Sequence, residues 1–128
     1  MSKIQKKIYY HDTDCGGVVY YANYHKYFEE ARTECFADKG IELRALTDKG
    51  IWFVVKHVDV DYKAPARYAD KLDIKTEISK LRNVSIEFSQ SISREGQLLV
   101  NALTLLVCVD KTFKPMAIPE HLVSLLKK

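Results

Sequence analysis

Apolar and polar residues alternate with a period of two over most of residues 52–92, which is typical of half-buried β-strands. The clearest segment is residues 71–79, where leucine, isoleucine and threonine face one way and charged residues face the other. Pro65 interrupts the alternation, because proline cannot donate to a strand ladder, and Gly96 marks a hairpin turn. Residues 98–109 are almost continuously apolar, which predicts a last strand that is covered on both faces.

The period changes to that of a helix in the N-terminal third of the chain. A short alternating strand is predicted over residues 3–10, and a helix over residues 21–39, with Gly40 just past its end. Proline at position 119, followed by "EHLVSLLKK", predicts a short terminal helix. The apolar residues of the long helix share one stripe: Tyr24, Tyr27, Phe28, Ala31 and Cys35.

This order of elements predicts an α+β protein, made of a five-stranded antiparallel sheet packed on one long helix. The order is strand, helix, four strands and a short C-terminal helix, and residues 1–128 are expected to form a single domain. Such a sheet has two open edges that a monomer would have to protect. A homodimer that joins the sheets edge to edge is therefore expected.

Composition narrows the class of protein without indicating a function. The chain has 47% apolar and 29% charged residues and a net charge of +3, which is too small to suggest a nucleic-acid partner. No segment approaches the ~20 apolar residues of a membrane helix, so no membrane insertion is expected. The three cysteines lack the spacing of a zinc site or a disulfide framework, which favours a cytoplasmic protein.

The stretch "YYHDTDCGGVVYYANY", Tyr9 to Tyr24, is the most irregular part of the sequence. Aspartate and glycine are ordinary turn residues, so a simple turn is one interpretation. The other interpretation is a site, because Gly16 and Gly17 let backbone N–H groups approach a ligand and the following helix N-terminus favours developing negative charge. A carboxylate beside such donors suits acyl transfer to or from a bound carbonyl group.

Three competing sites in the same stretch have weaker support. A calcium loop fails because its fifth position is Gly16 and its twelfth is Asn23, where a bidentate glutamate is needed. A transition-metal site built on His11 and the two aspartates finds no helical ligand pair, so no metal is expected. No organic cofactor is expected either. Cys15 could act as a nucleophile with His25 as its base, but a cysteine tolerated in a tight turn is the simpler reading.

The same stretch closely resembles the signature Y-x-D-T-D-x-x-G-V-V-Y-x-x-N-Y of the hotdog-fold acyl-CoA thioesterases. The chain is most similar to the YbgC group, which is related to 4-hydroxybenzoyl-CoA thioesterase. The resemblance continues in "DYKAPARYAD", "KLRNVSIEFSQSI" and "KPMAIPEHL" and so covers nearly the whole chain. It implies the hotdog fold, in which the sheet wraps around the helix, and hydrolysis of a small acyl-CoA thioester to a free acid and coenzyme A.

The resemblance also implies roles for individual residues near the turn. Asp14 falls on the catalytic aspartate, which attacks the thioester carbonyl or activates water, and the backbone N–H of Tyr21 falls on the oxyanion donor. Tyr10 falls on a further site position, and Gly17 is expected to contact substrate. Asp12 is interpreted as structural, a turn or cap acceptor. The YbgC group usually has histidine where Tyr21 stands, so aliphatic and aromatic acyl groups both remain open.

Substrate phosphates and partner subunits are the last expectations drawn from the resemblance. Lys80 and Arg82 match positions that contact the nucleotide of coenzyme A, with Arg67 as a weaker candidate, although a solvated hairpin would look the same. The substrate carrier is coenzyme A or an acyl carrier protein. Sites of the family lie between subunits, which implies a homodimer and, beyond it, a homotetramer. A non-catalytic acyl-binding protein and an envelope-associated interaction protein are the alternatives.

Overall fold

The structure, a computed structural model, describes residues 1–128. The main elements follow the predicted order, with a second short helix, α2, added between the long helix and the second strand. Their bounds are β1 Ser2–Lys7, α1 Asn23–Asp38, α2 Leu43–Asp48, β2 Trp52–Tyr62, β3 Lys71–Leu81, β4 Ser85–Arg94, β5 Gln97–Val109 and α3 Glu120–Leu126.

The five strands form one sheet in the order β1-β3-β4-β5-β2, and every neighbouring pair is antiparallel. Helix α1 lies against the inner face of this sheet, so its apolar residues pack with residues of β3, β4 and β5. The predicted hotdog arrangement of a sheet around one long helix is confirmed. Strands β1 and β2 are the open edges, and β2 carries a register shift between Val55 and His57.

The predicted stripe of α1 is confirmed as the core side of the helix. Tyr24, Tyr27, Phe28, Ala31 and Cys35 are all buried, and each retains at most a few per cent of its exposed surface. The helix begins at Asn23 rather than at residue 21, because Tyr21 and Ala22 lie in the turn that leads into it. This difference places the Tyr21 backbone at the helix entry.

The first strand ends earlier than the predicted residue 10. Beyond Lys7, the Ile8 N–H still donates to the Asp70 carbonyl, but residues 10–12 then form a 3-10 turn. The Asp12 carboxylate accepts a hydrogen bond from the Tyr9 N–H at 2.9 Å, and this local bond replaces further ladder pairing.

The expectation that both faces of the last strand are covered holds for only part of β5. Ala102, Thr104 and Leu106 point inward and are buried, whereas Leu103 between them keeps 42% of its surface exposed. Residues 106–109 are buried on both faces, so the expected covering holds at the C-terminal end of β5 and fails at Leu103 in the middle of the strand. None of the helices combines the length and apolar composition needed to cross a bilayer.

Candidate active site

The polar turn begins with Asp12, which is held inside the protein. Its side chain caps the 3-10 turn by accepting from the Tyr9 N–H, and the residue is only 6% exposed. Its backbone carbonyl accepts two further hydrogen bonds, from the Asn23 side-chain amide at 2.9 Å and from the Tyr20 N–H at 3.1 Å. Asp12 therefore joins the turn to the start of α1, as expected of a cap acceptor.

Asp14 follows two residues later and is exposed at the outside of the turn. Its Oδ1 accepts a hydrogen bond from the Gly16 N–H at 2.9 Å, an interaction that orients the carboxylate and leaves Oδ2 available. The backbone of Asp14 is fixed on both sides, because its N–H donates to the Val18 carbonyl and its carbonyl accepts from the Gly17 N–H. The carboxylate is thus exposed on a well-anchored backbone.

The two glycines of the turn have different structural reasons. Gly17 has a φ of 75°, a left-handed conformation that side chains rarely adopt, and a Cβ there would meet no atom within 4 Å. Gly16 has no such constraint, but a Cβ on it would lie 3.4 Å from the Asp14 Oδ1. One glycine permits the turn and the other keeps space beside the carboxylate.

The helix entry supplies a backbone donor near this turn. The Tyr21 N–H donates to no backbone carbonyl, whereas its carbonyl accepts from the Tyr24 N–H at 3.3 Å and so begins the helical pattern. Unpaired N–H groups at a helix N-terminus carry partial positive charge and favour an anionic or carbonyl oxygen. The Tyr21 ring is 61% exposed and packs against Tyr20, with ring centroids 5.1 Å apart.

Residues 63–70, between β2 and β3, hold the turn from the other side. The Ala66 carbonyl accepts from the Val19 N–H at 2.8 Å, and the Ala66 N–H donates to the Tyr24 hydroxyl at 3.0 Å. An ion pair between Arg94 and Asp70, 2.7 Å long and partly buried, ties the same segment to β4. The pattern of "DYKAPARYAD" does not indicate this role for the Ala66 backbone.

All six exposed tyrosines lie in or beside this region: Tyr9, Tyr10, Tyr20, Tyr21, Tyr62 and Tyr68. Tyr10 packs on Tyr68 with ring centroids 5.3 Å apart, and Tyr21 meets Tyr62 edge to face at 6.2 Å. Aromatic side chains from the 3-10 turn, the helix entry, the end of β2 and the β2–β3 connection therefore flank the turn that carries Asp14.

The two buried tyrosines of α1, Tyr24 and Tyr27, have raised pKa values. Burial raises the pKa of Tyr24, and the hydrogen bond from Ala66 opposes that shift. Burial also raises the pKa of Tyr27, and the nearby Asp12 carboxylate raises it further. The Tyr27 hydroxyl is buried without a hydrogen-bond partner, so its neutral form is strongly favoured.

The candidate residues for phosphate binding are not brought to Asp14 within one chain. Arg67 lies close to the turn, since it pairs with Val18 in an isolated β-bridge. Lys80 and Arg82 lie at the other end of β3, about 30 Å further along the strand from Asp70. Both are exposed. To reach either cation of the same chain, a ligand held by Asp14 would have to extend about the length of β3.

The structure also locates the residues of two competing sites, the Cys15 nucleophile and the metal site. Cys15 is exposed, and the hydrogen-bond partner of the His25 Nε2 is the Tyr62 hydroxyl, 3.4 Å away. No group of three or more histidine, cysteine, aspartate or glutamate side chains is placed to hold a metal ion. The arrangement present is an oriented, exposed carboxylate in the turn that leads to a helix N-terminus with an unpaired N–H group. A carboxylate can attack a carbonyl carbon or activate water to do so, and an N–H donor can polarise the carbonyl oxygen.

Comparisons with known proteins agree with one another. Residues 9–126 match the thioesterase-like superfamily. The chain is 44% identical over 124 residues to the acyl-CoA thioester hydrolase YbgC of Escherichia coli O6:H1, covering 95% of this chain and 92% of that protein. It is 38% identical over 117 residues to the acyl-CoA thioesterase YbgC of Haemophilus influenzae, covering 90% and 86%.

A solved structure of a hypothetical protein from Thermus thermophilus superposes with a TM-score of 0.95. The two sequences are 28% identical, and the superposition covers 99% of this chain and 98% of that one. The predicted resemblance to the YbgC group and its fold is thereby confirmed.

Proposed function

The chain belongs to the thioesterase-like superfamily, and from that premise we propose that it hydrolyses small acyl-CoA thioesters with Asp14 as nucleophile or general base. The observation that carries this proposal is the position of Asp14. Its carboxylate is exposed, is oriented by the Gly16 N–H at 2.9 Å, and stands in the turn that enters α1. An N–H group with no backbone acceptor, that of Tyr21, stands at the entry of the same helix.

Two routes from this carboxylate give the same products. As a nucleophile, an Asp14 oxygen attacks the thioester carbon, the C–S bond breaks, and coenzyme A leaves as a thiolate that takes a proton from solvent. Water then hydrolyses the acyl–aspartyl anhydride to the free acid. As a general base, Asp14 removes a proton from water while the water oxygen attacks the same carbon.

The Tyr21 N–H is the proposed oxyanion donor in either route. Negative charge develops on the thioester oxygen in the transition state, and a fixed N–H donor stabilises it without needing to reorient. The removal of one such donor costs about 3 kcal/mol in other hydrolases. The donor comes from the backbone, so the tyrosine side chain can differ from the histidine usual in the YbgC group without loss of this role.

The coenzyme A portion is proposed to contact Tyr10 and Gly17 near the turn and Lys80 and Arg82 at its phosphates. The two cations lie about 30 Å along β3 from Asp70 in the same chain, so the proposal takes them from a second copy. A homodimer, or a homotetramer built from it, is accordingly part of the proposal. The open β2 edge is the surface through which two sheets could join.

Substitution of Asp14 tests the chemical role directly. Asp14→Asn keeps an oxygen that can accept from the Gly16 N–H but is a poor nucleophile and base, so turnover should be lost across a panel of aliphatic and aromatic acyl-CoAs. Asp48→Asn, at the exposed end of α2, is the matched control and should retain turnover. Wild-type turnover by the Asp14→Asn protein would overturn the assignment.

Isotope labelling separates the two routes. In a single turnover with excess enzyme in ¹⁸O-water, a general base places the label in the released acid. The anhydride of the nucleophile route can be opened by water at its aspartyl carbon, which places the label in the Asp14 carboxylate. Label found there by mass spectrometry of the peptide therefore identifies the nucleophile route, because a general base cannot put it there.

Mixed oligomers test whether a second copy provides the phosphate contacts. Asp14→Asn and Arg82→Ala subunits, each weakly active alone, should regain activity when unfolded and refolded together, because a hybrid dimer contains one intact site. If both defects lie in sites built from one chain, mixing will restore nothing.

A further inference from the structure

Arg32 is a half-buried cation on α1 without an acidic partner in contact. Its Nη1 donates to the Gln90 Oε1 at 3.1 Å, and none of the ion pairs of the chain includes it. Burial lowers the pKa of the Arg32 guanidinium, and the charge of Glu29 only partly opposes this shift. A guanidinium has five N–H donors, so most of its hydrogen-bonding capacity is unused by the protein side chains around it.

The position of Arg32 is fixed by a buried polar network. Gln90 is 2% exposed, and its amide nitrogen donates to the Phe28 carbonyl at 2.9 Å and to the Thr76 hydroxyl at 3.0 Å. These two bonds orient the amide so that Oε1 faces Arg32. The cation is therefore held in place before any ligand arrives.

Two cavities of about 290 Å³ each lie between α1 and β2, and Arg32 lines both. Glu29 and Val55 also line both, so the two cavities are adjacent, and together they are called here the α1–β2 groove. Its walls are mainly apolar on the β2 side, and its rim carries exposed charged residues of α1. The apolar lining residues used here are Phe28, Phe36, Phe53, Val58 and Leu106.

The groove begins beside the candidate active site. His25 lines the cavity that also contains Phe28 and Val58, and its ring contacts Tyr62. Tyr62 in turn meets the Tyr21 ring edge to face. Arg32 is 11 residues after Tyr21, about 16 Å along the helix axis. Helical side chains lean toward the N-terminus of their helix, so the guanidinium lies closer to the site than its Cα does.

We propose that the α1–β2 groove receives the acyl group of the substrate and that Arg32 selects acyl groups with a hydrogen-bond-accepting oxygen near their distal end. This inference rests on the proposed thioesterase function and names a substrate class for it, hydroxyacyl or carboxyacyl thioesters of medium length. Plain hydrocarbon chains fill the apolar walls but leave the guanidinium unsatisfied. An oxygen at that depth accepts a charge-assisted hydrogen bond.

A matched set of substrates tests the selectivity: octanoyl-CoA, ω-hydroxyoctanoyl-CoA and suberyl-CoA. Wild-type protein should show a kcat/KM for the better oxygen-bearing substrate about tenfold to hundredfold above that for octanoyl-CoA. Arg32→Met should bring that ratio close to one, mainly through KM. Arg32→Lys, which keeps the charge without the planar fork, should retain part of the preference.

Controls separate this role from a structural one. Arg44→Met, at an exposed position of α2, should leave the ratio unchanged. Equal losses on all three substrates in Arg32→Met, or no preference in the wild type, would overturn the inference. A changed oligomeric mass with an unchanged ratio would also overturn it, because Arg32 would then pair with a carboxylate of a second copy.

Binding measurements distinguish failure of this inference from failure of the proposed function. Calorimetry with non-hydrolysable thioether analogues, octyl-CoA and ω-hydroxyoctyl-CoA, needs no turnover. If the wild type binds the hydroxylated analogue about tenfold more tightly and Arg32→Met does not, the groove assignment stands even where hydrolysis fails. Equal affinities for the two analogues in the wild type refute it whatever the catalytic result.

Discussion

Asp12 and Asp14 stand two residues apart in one turn and have opposite environments. Asp12 is buried, accepts from the Tyr9 N–H and joins the turn to α1 through its backbone carbonyl. Asp14 is exposed and accepts only from the Gly16 N–H within its own turn. The same side chain therefore serves the fold at one position and is free for chemistry at the other. The difference comes from what surrounds each carboxylate rather than from the residue type.

Amide substitution of the two aspartates should produce the largest effect. Asp14→Asn is expected to lower kcat about a hundredfold to ten-thousandfold, while its free energy of unfolding stays within about 0.5 kcal/mol of wild type. Asp12→Asn, which can still accept from the Tyr9 N–H, should retain most of the turnover. Steady-state kinetics and urea unfolding of both proteins check this, and equal losses of kcat would erase the distinction.

Truncation to alanine should lower stability more at Asp12 than at Asp14, whereas amide substitution affects turnover more at Asp14. Asp12→Ala removes a buried capping acceptor and should lower the free energy of unfolding by about 1 to 2 kcal/mol. Asp14→Ala removes an exposed side chain with one local hydrogen bond, and a smaller loss, about 0.5 kcal/mol, is expected. Urea unfolding monitored by circular dichroism measures both, and a larger loss for Asp14→Ala would contradict the burial difference.

The two glycines offer a smaller test of the same division. Gly17→Ala should cost about 1 kcal/mol of stability, because alanine is strained at a φ of 75°. Gly16→Ala should change stability less, since its backbone is unconstrained, but its methyl group would contact the Asp14 Oδ1 at 3.4 Å, and a modest loss of turnover is expected from this restriction. Thermal unfolding and kinetics of the pair would show whether one residue serves the turn and the other the carboxylate.

The smallest expected effect is a change in alkaline stability. The pKa of Tyr27 is raised from its usual 10.0 in the folded protein, first by burial and then by Asp12. Above about pH 10 the unfolded chain therefore loses a proton that the folded chain keeps, so the free energy of unfolding falls as pH rises. Tyr27→Phe should make this decline shallower.

Unfolding at several alkaline pH values also distinguishes the two aspartates. Asp12→Asn removes one cause of the Tyr27 shift and should flatten the decline, whereas Asp14→Asn should not. The same slope in Asp12→Asn and wild type would show that the Asp12 charge does not reach Tyr27.

Local patterns were sufficient to predict the elements that bury one face. The stripe from Tyr24 to Cys35 indicated which side of α1 meets the sheet, and Gly96 correctly marked the β4–β5 hairpin. The expected covering of both faces of β5 holds over residues 106–109 but is wrong at Leu103, which is 42% exposed. The pattern of apolar residues indicates which faces of a strand are apolar, but it does not indicate whether the same chain or a second copy covers them.

The candidate site was only partly predictable, since its partners are distant in sequence. The turn and its aspartates stood out by composition, and the family resemblance selected Asp14. Nothing in the spacing indicated that the Ala66 backbone would hold the turn, or that Arg32 would meet Gln90 across 58 residues. The separation of Lys80 and Arg82 from Asp14 also required the strand register.

The hydrogen bonds of Ala66 have a consequence for how this protein can diversify. Both backbone polar groups of Ala66 are used. Its N–H donates to the Tyr24 hydroxyl, and its carbonyl accepts from the Val19 N–H, so neither bond depends on a side chain of the β2–β3 connection. Exposed neighbours such as Arg67 and Tyr68 can therefore be exchanged without loosening the support of the turn. Selection for a new substrate could rewrite the side chains of this connection while the geometry of the aspartate is inherited unchanged.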